Sequence, residues 1–359
     1  MKQTIISVAA LFALALPVSA LEEPAPAPSP NEIVSAAPQS DWVQIAAEDM
    51  LVMTLAPDRD GKTRKVVIQL MPAPFSQGWV ENIRTLARAQ WYDGISVNRV
   101  QDNYVVQWGD PNHDNPEAEG KAKPLPEGLR VMGEGDYVSQ LDPGVMPFVW
   151  SQFGKMETEN FGEPLLLRSG RKPLETSGRF WDPYSFVVGF GSGFPIAVQF
   201  NPAFNEEGDA NERLGSTWPV HCYGMVGVGR SYSPDTGSGA ELYTVIGHAP
   251  RHLDRNIALA GRIISGMEHL SSLPRGSGAL GFYTAEEADK RTPILRVRVA
   301  SDLPEAEQPR FEYLSTETES FARYAEARAN RRDPFFIVPA GGADICNIPV
   351  PIRAVEIEG

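Results

Sequence analysis

The spacing of apolar residues changes several times along the chain, and each change marks an element. Met50 to Leu55 and Lys65 to Leu70 are short apolar-rich runs on either side of Asp58-Arg59-Asp60-Gly61, the composition of two strands joined by a turn. Trp79, Val80, Ile83, Leu86 and Ala87 then recur at three- and four-residue intervals. That period predicts a helix from Phe75 or Ser76 to about Ala89, with Ser76 as its N-cap and Trp79 on its buried face. Two strand-like runs follow, Ile95 to Val100 and Tyr104 to Gln107, separated by the turn residues Gln101-Asp102-Asn103. Thr292 to Val299 alternates as a strand does, Phe311 to Leu314 reads as another, and Thr318 to Arg331 reads as a helix opened by a threonine or serine cap.

The first 40 residues have a different character. Lys2, the apolar run Ile5 to Leu16 and Val18-Ser19-Ala20 have the layout of a secretory signal over residues 1–20. The apolar run is too short to span a membrane, so no membrane insertion is expected after cleavage. Export, in bacterial style to the periplasm, is the expectation. Residues 21–40 are rich in Pro, Ala and Ser and read as a disordered linker.

Formal net charge is −14, and no stripe of Lys or Arg is present, which removes nucleic acid and anionic surfaces from the expected partners. Cys222 and Cys346 are the only cysteines. In an oxidising compartment they are a disulfide candidate, the alternative being two separate buried thiols. Metal chemistry finds no support: Pro250 lies between His248 and His252 and forbids a regular helix, and the cysteines lack zinc spacing. Asp58 to Gly61 lacks the glutamate of a calcium loop, and Gly189 to Gly193 lacks the spacing of a phosphate cradle. Ser238 has no nucleophile-elbow context.

What remains is a pair of hydrogen-bonding residues. Arg99 and Gln107 sit eight residues apart across the turn, where the two flanking strands can pair. Facing one groove, they offer oriented donors without a nucleophile or a general base.

The stretch around them, YDGISVNRVQDNYVVQWGDP, resembles the signature of the cyclophilin-type peptidyl-prolyl isomerases. Two further blocks agree in order. VVIQLMPAPFSQGWVENIRTLARA resembles the family's second strand and first helix. Gly224-Met225, Gly237-Ser238-Gly239, Leu242-Tyr243, Pro250, His252-Leu253-Asp254, Gly261-Arg262 and Gly266-Met267 follow the family's order downstream. The resemblance implies a mainly β fold, an eight-stranded antiparallel barrel capped by helices. It places the domain at residues 41–305, with an insertion over about 112–219 and a C-terminal extension over 306–359. The insertion holds strand-like runs at Pro164 to Leu167, Phe186 to Phe190 and Ile196 to Phe200, and its aromatic residues argue for ordered packing.

By the same resemblance Arg99 takes the catalytic arginine position, and Gln107 the glutamine that orients it. Tyr104, Val105, Tyr243 and Leu253 fall where side chains hold the proline ring, and His252 falls at a position that varies between Trp and His. The expected activity is cis/trans isomerisation of X-Pro bonds in exported polypeptides, with no cofactor. Departures are visible too. Asn98 replaces a His, Gly229-Arg230 replaces an Ala-Asn pair that meets substrate backbone, and Glu241 stands where a Gln is usual and could pair with Arg99 or Arg230. They keep a second reading open: a non-catalytic chaperone or assembly factor that binds proline-containing segments.

Overall fold

Eight strands make one antiparallel sheet in the computed structural model, which describes residues 26–113, 120–140, 150–151, 154–155, 182–185, 187–199, 215–338 and 342–355. In chain order they are β1 (Met50–Leu55), β2 (Arg64–Leu70), β3 (Ser96–Val100), β4 (Val105–Gly109), β5 (Met225–Val228), β6 (Glu241–Val245), β7 (Leu259–Ser265) and β8 (Ile294–Val299). Their order in space is β8-β1-β2-β7-β5-β6-β4-β3. The ends nearly close the barrel: Ile294 N donates to Ile95 O at 2.7 Å and Val97 N to Thr292 O at 2.9 Å, around a bridge between Ser96 and Pro293.

β1 is apolar without alternation because both of its faces are covered. Leu51, Met53 and Leu55 enter the main core, while Met50 and Val52 pack on the other side with Ile45, Val67 and Ala300. Helix α2 (Gln77–Arg88) lies against β7 and β8, with Trp79, Val80, Ile83, Leu86 and Ala87 buried. Ser76 precedes it but is not a side-chain cap. It has φ 54° and makes no capping bond. Gln77 closes the helix start instead, donating from Nε2 to Phe75 O at 2.8 Å and Met71 O at 3.0 Å.

The stretch read as a disordered linker contains a helix, α1 (Pro30–Ser35), and this corrects that expectation from residue 30 onward. Composition hid a capping box between Ser29 and Glu32, and Ile33 is buried where α1 packs on α4 (Glu319–Ala329). Thr318 caps α4, accepting from Phe321 N. A short helix, α3 (Glu268–Ser271), follows β7. The C-terminal extension is not set apart from the rest. Phe311–Leu314 pairs with Trp42–Gln44 on one side and Ile352–Ala354 on the other.

Within the stretch read as an insertion, Ser139–Gln140, Ser216–Pro219, Phe194–Gln199 and Val187–Gly191 form a four-stranded sheet. Phe190, Phe194, Ile196 and Trp218 join the same buried cluster as the barrel. Arg262 of β7 fastens the two together: it donates to Gln69 Oε1 at 2.7 and 2.9 Å and to Gly193 O at 2.6 Å, with its guanidinium 4.2 Å from the Phe194 ring centroid. Cys222, just before β5, is disulfide-bonded to Cys346 of the extension across a Cα separation of 5.1 Å. Among the described residues no helix is long and apolar enough to cross a membrane. The secretory-type segment 1–20 and the run Pro164 to Leu167 lie outside the described residues.

Candidate functional site

The site begins with a register irregularity. β3 shifts between Val97 and Arg99, and the shift sets Arg99 directly opposite Gln107 on β4. Arg99 is then held from several directions. Its Nη1 donates to Gln107 Oε1 at 3.0 Å, its Nε to Leu280 O at 2.7 Å and its Nη2 to Gln101 Oε1. The guanidinium also lies 5.2 Å from the Phe282 ring centroid and 5.7 Å from that of Tyr104. Its planar fork suits such multiple anchoring.

Beside Arg99 is an apolar surface on the outer face of the barrel. Val105, Tyr243 and Val245 form a small buried cluster edged by Tyr104 and Ile257. Tyr243 pairs across the sheet with Gln107 on one side and Gly227 on the other. A Cβ on Gly227 would sit 2.3 Å from the Tyr243 ring, so the absence of a side chain there makes the ring's seat. Burial pushes the Tyr243 hydroxyl well above its ordinary pKa, and it pushes Tyr104 up too, opposed by the Arg99 charge.

Helix α2 and the turn after it support the far end. Trp79 Nε1 donates to Thr236 O and Gly237 O at 3.0 Å, and the Tyr92 hydroxyl donates to Gly239 O at 2.6 Å. These bonds fix the turn that lies on Gly229. Gly237, at φ 79°, comes so close that a Cβ would be 2.1 Å from Gly229 O.

The predicted residues divide accordingly. Arg99, Gln107, Tyr104, Val105 and Tyr243 come together in one surface. His252 is exposed and Leu253 half-buried on the short turn Arg251–Leu253. Gly229 is buried, its N–H donating to Glu241 O at 2.7 Å. Arg230 turns to backbone, donating to Asn256 O and Ser231 O at 2.7 Å. Glu241 is corrected as a groove residue: it has no exposed surface to meet a substrate, and Asn98 Nδ2 donates to its Oε1 at 3.0 Å. The two departures at Asn98 and Glu241 are thus partners.

Sequence reasoning missed Gln101, the Leu280 carbonyl and Phe282 as neighbours of Arg99. It also missed His221, whose ring reaches the Tyr243 hydroxyl at 3.0 Å and Asp254 at 2.8 Å. In the sequence Gln101 has the place of a turn residue, and Asp254 stands out only as part of a resembling block. Among the described residues no cluster suited to a metal ion is present.

Residues 62–299 match the family model described as cyclophilin type peptidyl-prolyl cis-trans isomerase/CLD. Among solved structures, the chain is similar to a cyclophilin from Hirschia baltica, at 20% identity and a TM-score of 0.58, over 89% of this chain and 97% of that one. It also matches a cyclophilin-type isomerase from Cryptosporidium parvum at 10% identity and a TM-score of 0.33, over 70% and 96% of the two chains. No curated protein matches the sequence. At such identities the structural likeness concerns the fold.

Proposed function

The chain belongs to the cyclophilin-type peptidyl-prolyl cis-trans isomerase family, and from that premise we propose that Arg99 drives isomerisation of X-Pro bonds by assisting the twist of the prolyl amide. Rotating this bond means losing amide conjugation, at a cost of about 18 to 20 kcal/mol. In the twisted transition state the proline nitrogen becomes pyramidal and accepts a hydrogen bond that it refuses in the planar ground state. A donor waiting at that nitrogen stabilises the transition state selectively, which is the condition for catalysis.

The observation that carries this reading is the anchoring of Arg99 by Gln107 Oε1 at 3.0 Å and Leu280 O at 2.7 Å beside the apolar cluster of Val105 and Tyr243. The proline ring rests on Tyr104, Val105 and Tyr243. Gln107 orients the guanidinium and meets substrate backbone. Arg230, His252 and Leu253 border the groove. Exported polypeptides are the substrates, a reading supported by the secretory layout of residues 1–20 and by the Cys222–Cys346 disulfide.

Exchange spectroscopy on an Ala-Pro peptide tests the proposal. The wild type is expected to speed cis/trans exchange, and Arg99→Ala to lower that rate by about 10²- to 10³-fold, the scale for loss of one oriented transition-state donor. A second reading, peptide capture without turnover, is favoured by the bond from Arg99 to Gln101 Oε1, which occupies one N–H of the fork. Saturable peptide binding with no acceleration in the wild type would decide for capture.

A further inference from the structure

We propose that His221, itself held by Asp254, is a positioning residue for the proline pocket: it tethers the Tyr243 hydroxyl and thereby fixes the ring that walls the pocket. The proposal rests on the reading above that Tyr104, Val105 and Tyr243 receive proline. By the resemblance noted in the sequence, the position of Tyr243 is one of a ring-contacting Phe. A Phe needs nothing behind it. A tyrosine 5% exposed brings a hydroxyl into that wall, and the fold supplies a fully buried histidine to meet it.

The contacts run in one line from the insertion to the pocket. Asp182, in the insertion, accepts from Arg251 Nη2 at 2.7 Å. Arg251 Nε donates to Asp254 Oδ2 at 2.6 Å. Asp254 Oδ1 accepts from both His221 Nδ1 at 2.8 Å and the His221 backbone N–H at 3.0 Å. His221 Nε2 then lies 3.0 Å from the Tyr243 oxygen, with the two rings within 11° of parallel. An ionised carboxylate only accepts, so Nδ1 carries the proton and Nε2 is left to accept from the Tyr243 O–H. Burial holds His221 below its ordinary pKa against the pull of Asp254, in keeping with this neutral tautomer.

Tyr243 is therefore gripped at both ends, at its backbone on β6 and at its hydroxyl. Gly227 provides the seat between, where no side chain intrudes on the ring. A pocket must hold the proline ring still while the preceding carbonyl turns about it, so an immobile wall serves the reaction directly. The line of contacts also gives the insertion a part in the site. Asp182 is fixed in turn, accepting from Tyr184 N at 3.0 Å and Ser185 Oγ at 2.7 Å.

The test uses the full chain, an Ala-Pro peptide, and three readings: peptide affinity, exchange rate and thermal midpoint. Tyr243→Phe keeps the ring and removes the tether. It is expected to fold with a midpoint within a few degrees of wild type while weakening peptide affinity about three- to ten-fold, the range for one net hydrogen bond. His221→Gln, whose amide can both accept from Tyr243 and donate to Asp254, is expected to retain more affinity than His221→Leu. In the Tyr243→Phe background, His221→Gln should add no further loss. Unchanged affinity in a well-folded Tyr243→Phe overturns the proposal, since a merely structural role would move only the midpoint. If the wild type binds the peptide without accelerating exchange, the isomerase reading fails while the affinity comparison still judges the tether. If the wild type does not bind the peptide at all, both fail together.

Discussion

Arg99 is charged, and it is also shaped, which matters more for its chemistry. Its fork meets the Gln107 and Leu280 oxygens at separate angles, an arrangement a lysine ammonium cannot reproduce. Arg99→Lys is therefore expected to lose most of the exchange acceleration despite keeping the charge, at least about ten-fold, as measured on the same Ala-Pro peptide. His221 sets a pH dependence. It stays neutral in the fold below its ordinary 6.5, whereas the unfolded chain protonates there. The unfolded state then binds more protons, so stability is full above pH 6.5 and falls as the pH drops toward the lower folded value. Burial alone would raise Asp254, but the His221 and Arg251 hydrogen bonds and charges hold it below 3.8, which extends the loss in the same direction at still lower pH. Urea midpoints at pH 7.5 and 5.5 check the histidine step, and a midpoint that rises on acidification contradicts it. Arg99 and Gln107 could be read from the sequence because one short motif holds both. Asn98 and Glu241 stand in the sequence as two separate departures because their hydrogen bond joins residues 143 positions apart, and a linear string shows no such pairing.

At the scale of elements, periodicity told helices and strands apart well, and capping much less well. The apolar spacing of α2 gave its buried face, yet the conformation of Ser76 depends on the path of the preceding loop. Thr318 followed the ordinary rule because the chain enters α4 extended, at φ −96°. The two serine/threonine positions should therefore respond differently. Thr318→Ala removes a real cap and is expected to cost about 1 kcal/mol. Ser76→Gly relieves a left-handed residue at φ 54° and is expected to be neutral or stabilising by up to about 1 kcal/mol. Denaturant midpoints of the two variants decide, and equal losses would contradict this account. α1 escaped notice because a Pro/Ala/Ser composition argues for disorder, while its order comes from one capping box and from burial of Ile33 against α4.

At the scale of the molecule, the barrel was legible through a family resemblance, whereas the additions were not. Nothing local in Phe311–Leu314 says that it pairs with Trp42–Gln44, far away in sequence, or that Phe190 of the insertion meets Phe321 of α4 at 4.9 Å. The disulfide closes a loop with a sequence separation of 124. In the chain-entropy model, opening it costs about 4 to 5 kcal/mol of stability. Replacing both cysteines by serine should accordingly lower the urea midpoint strongly, and an unchanged midpoint would show that packing alone holds the extension. The Leu280 carbonyl has a wider implication. The guanidinium near the front of the domain is completed by a loop about 180 residues later, just before the strand that shuts the barrel. A fragment ending short of that loop keeps the arginine, the glutamine and the pocket strands but leaves the fork without one of its holds. Under the proposed role of Arg99, a chain cut before Leu280 is therefore expected to accelerate exchange less than the full chain, even with the arginine and its glutamine in place.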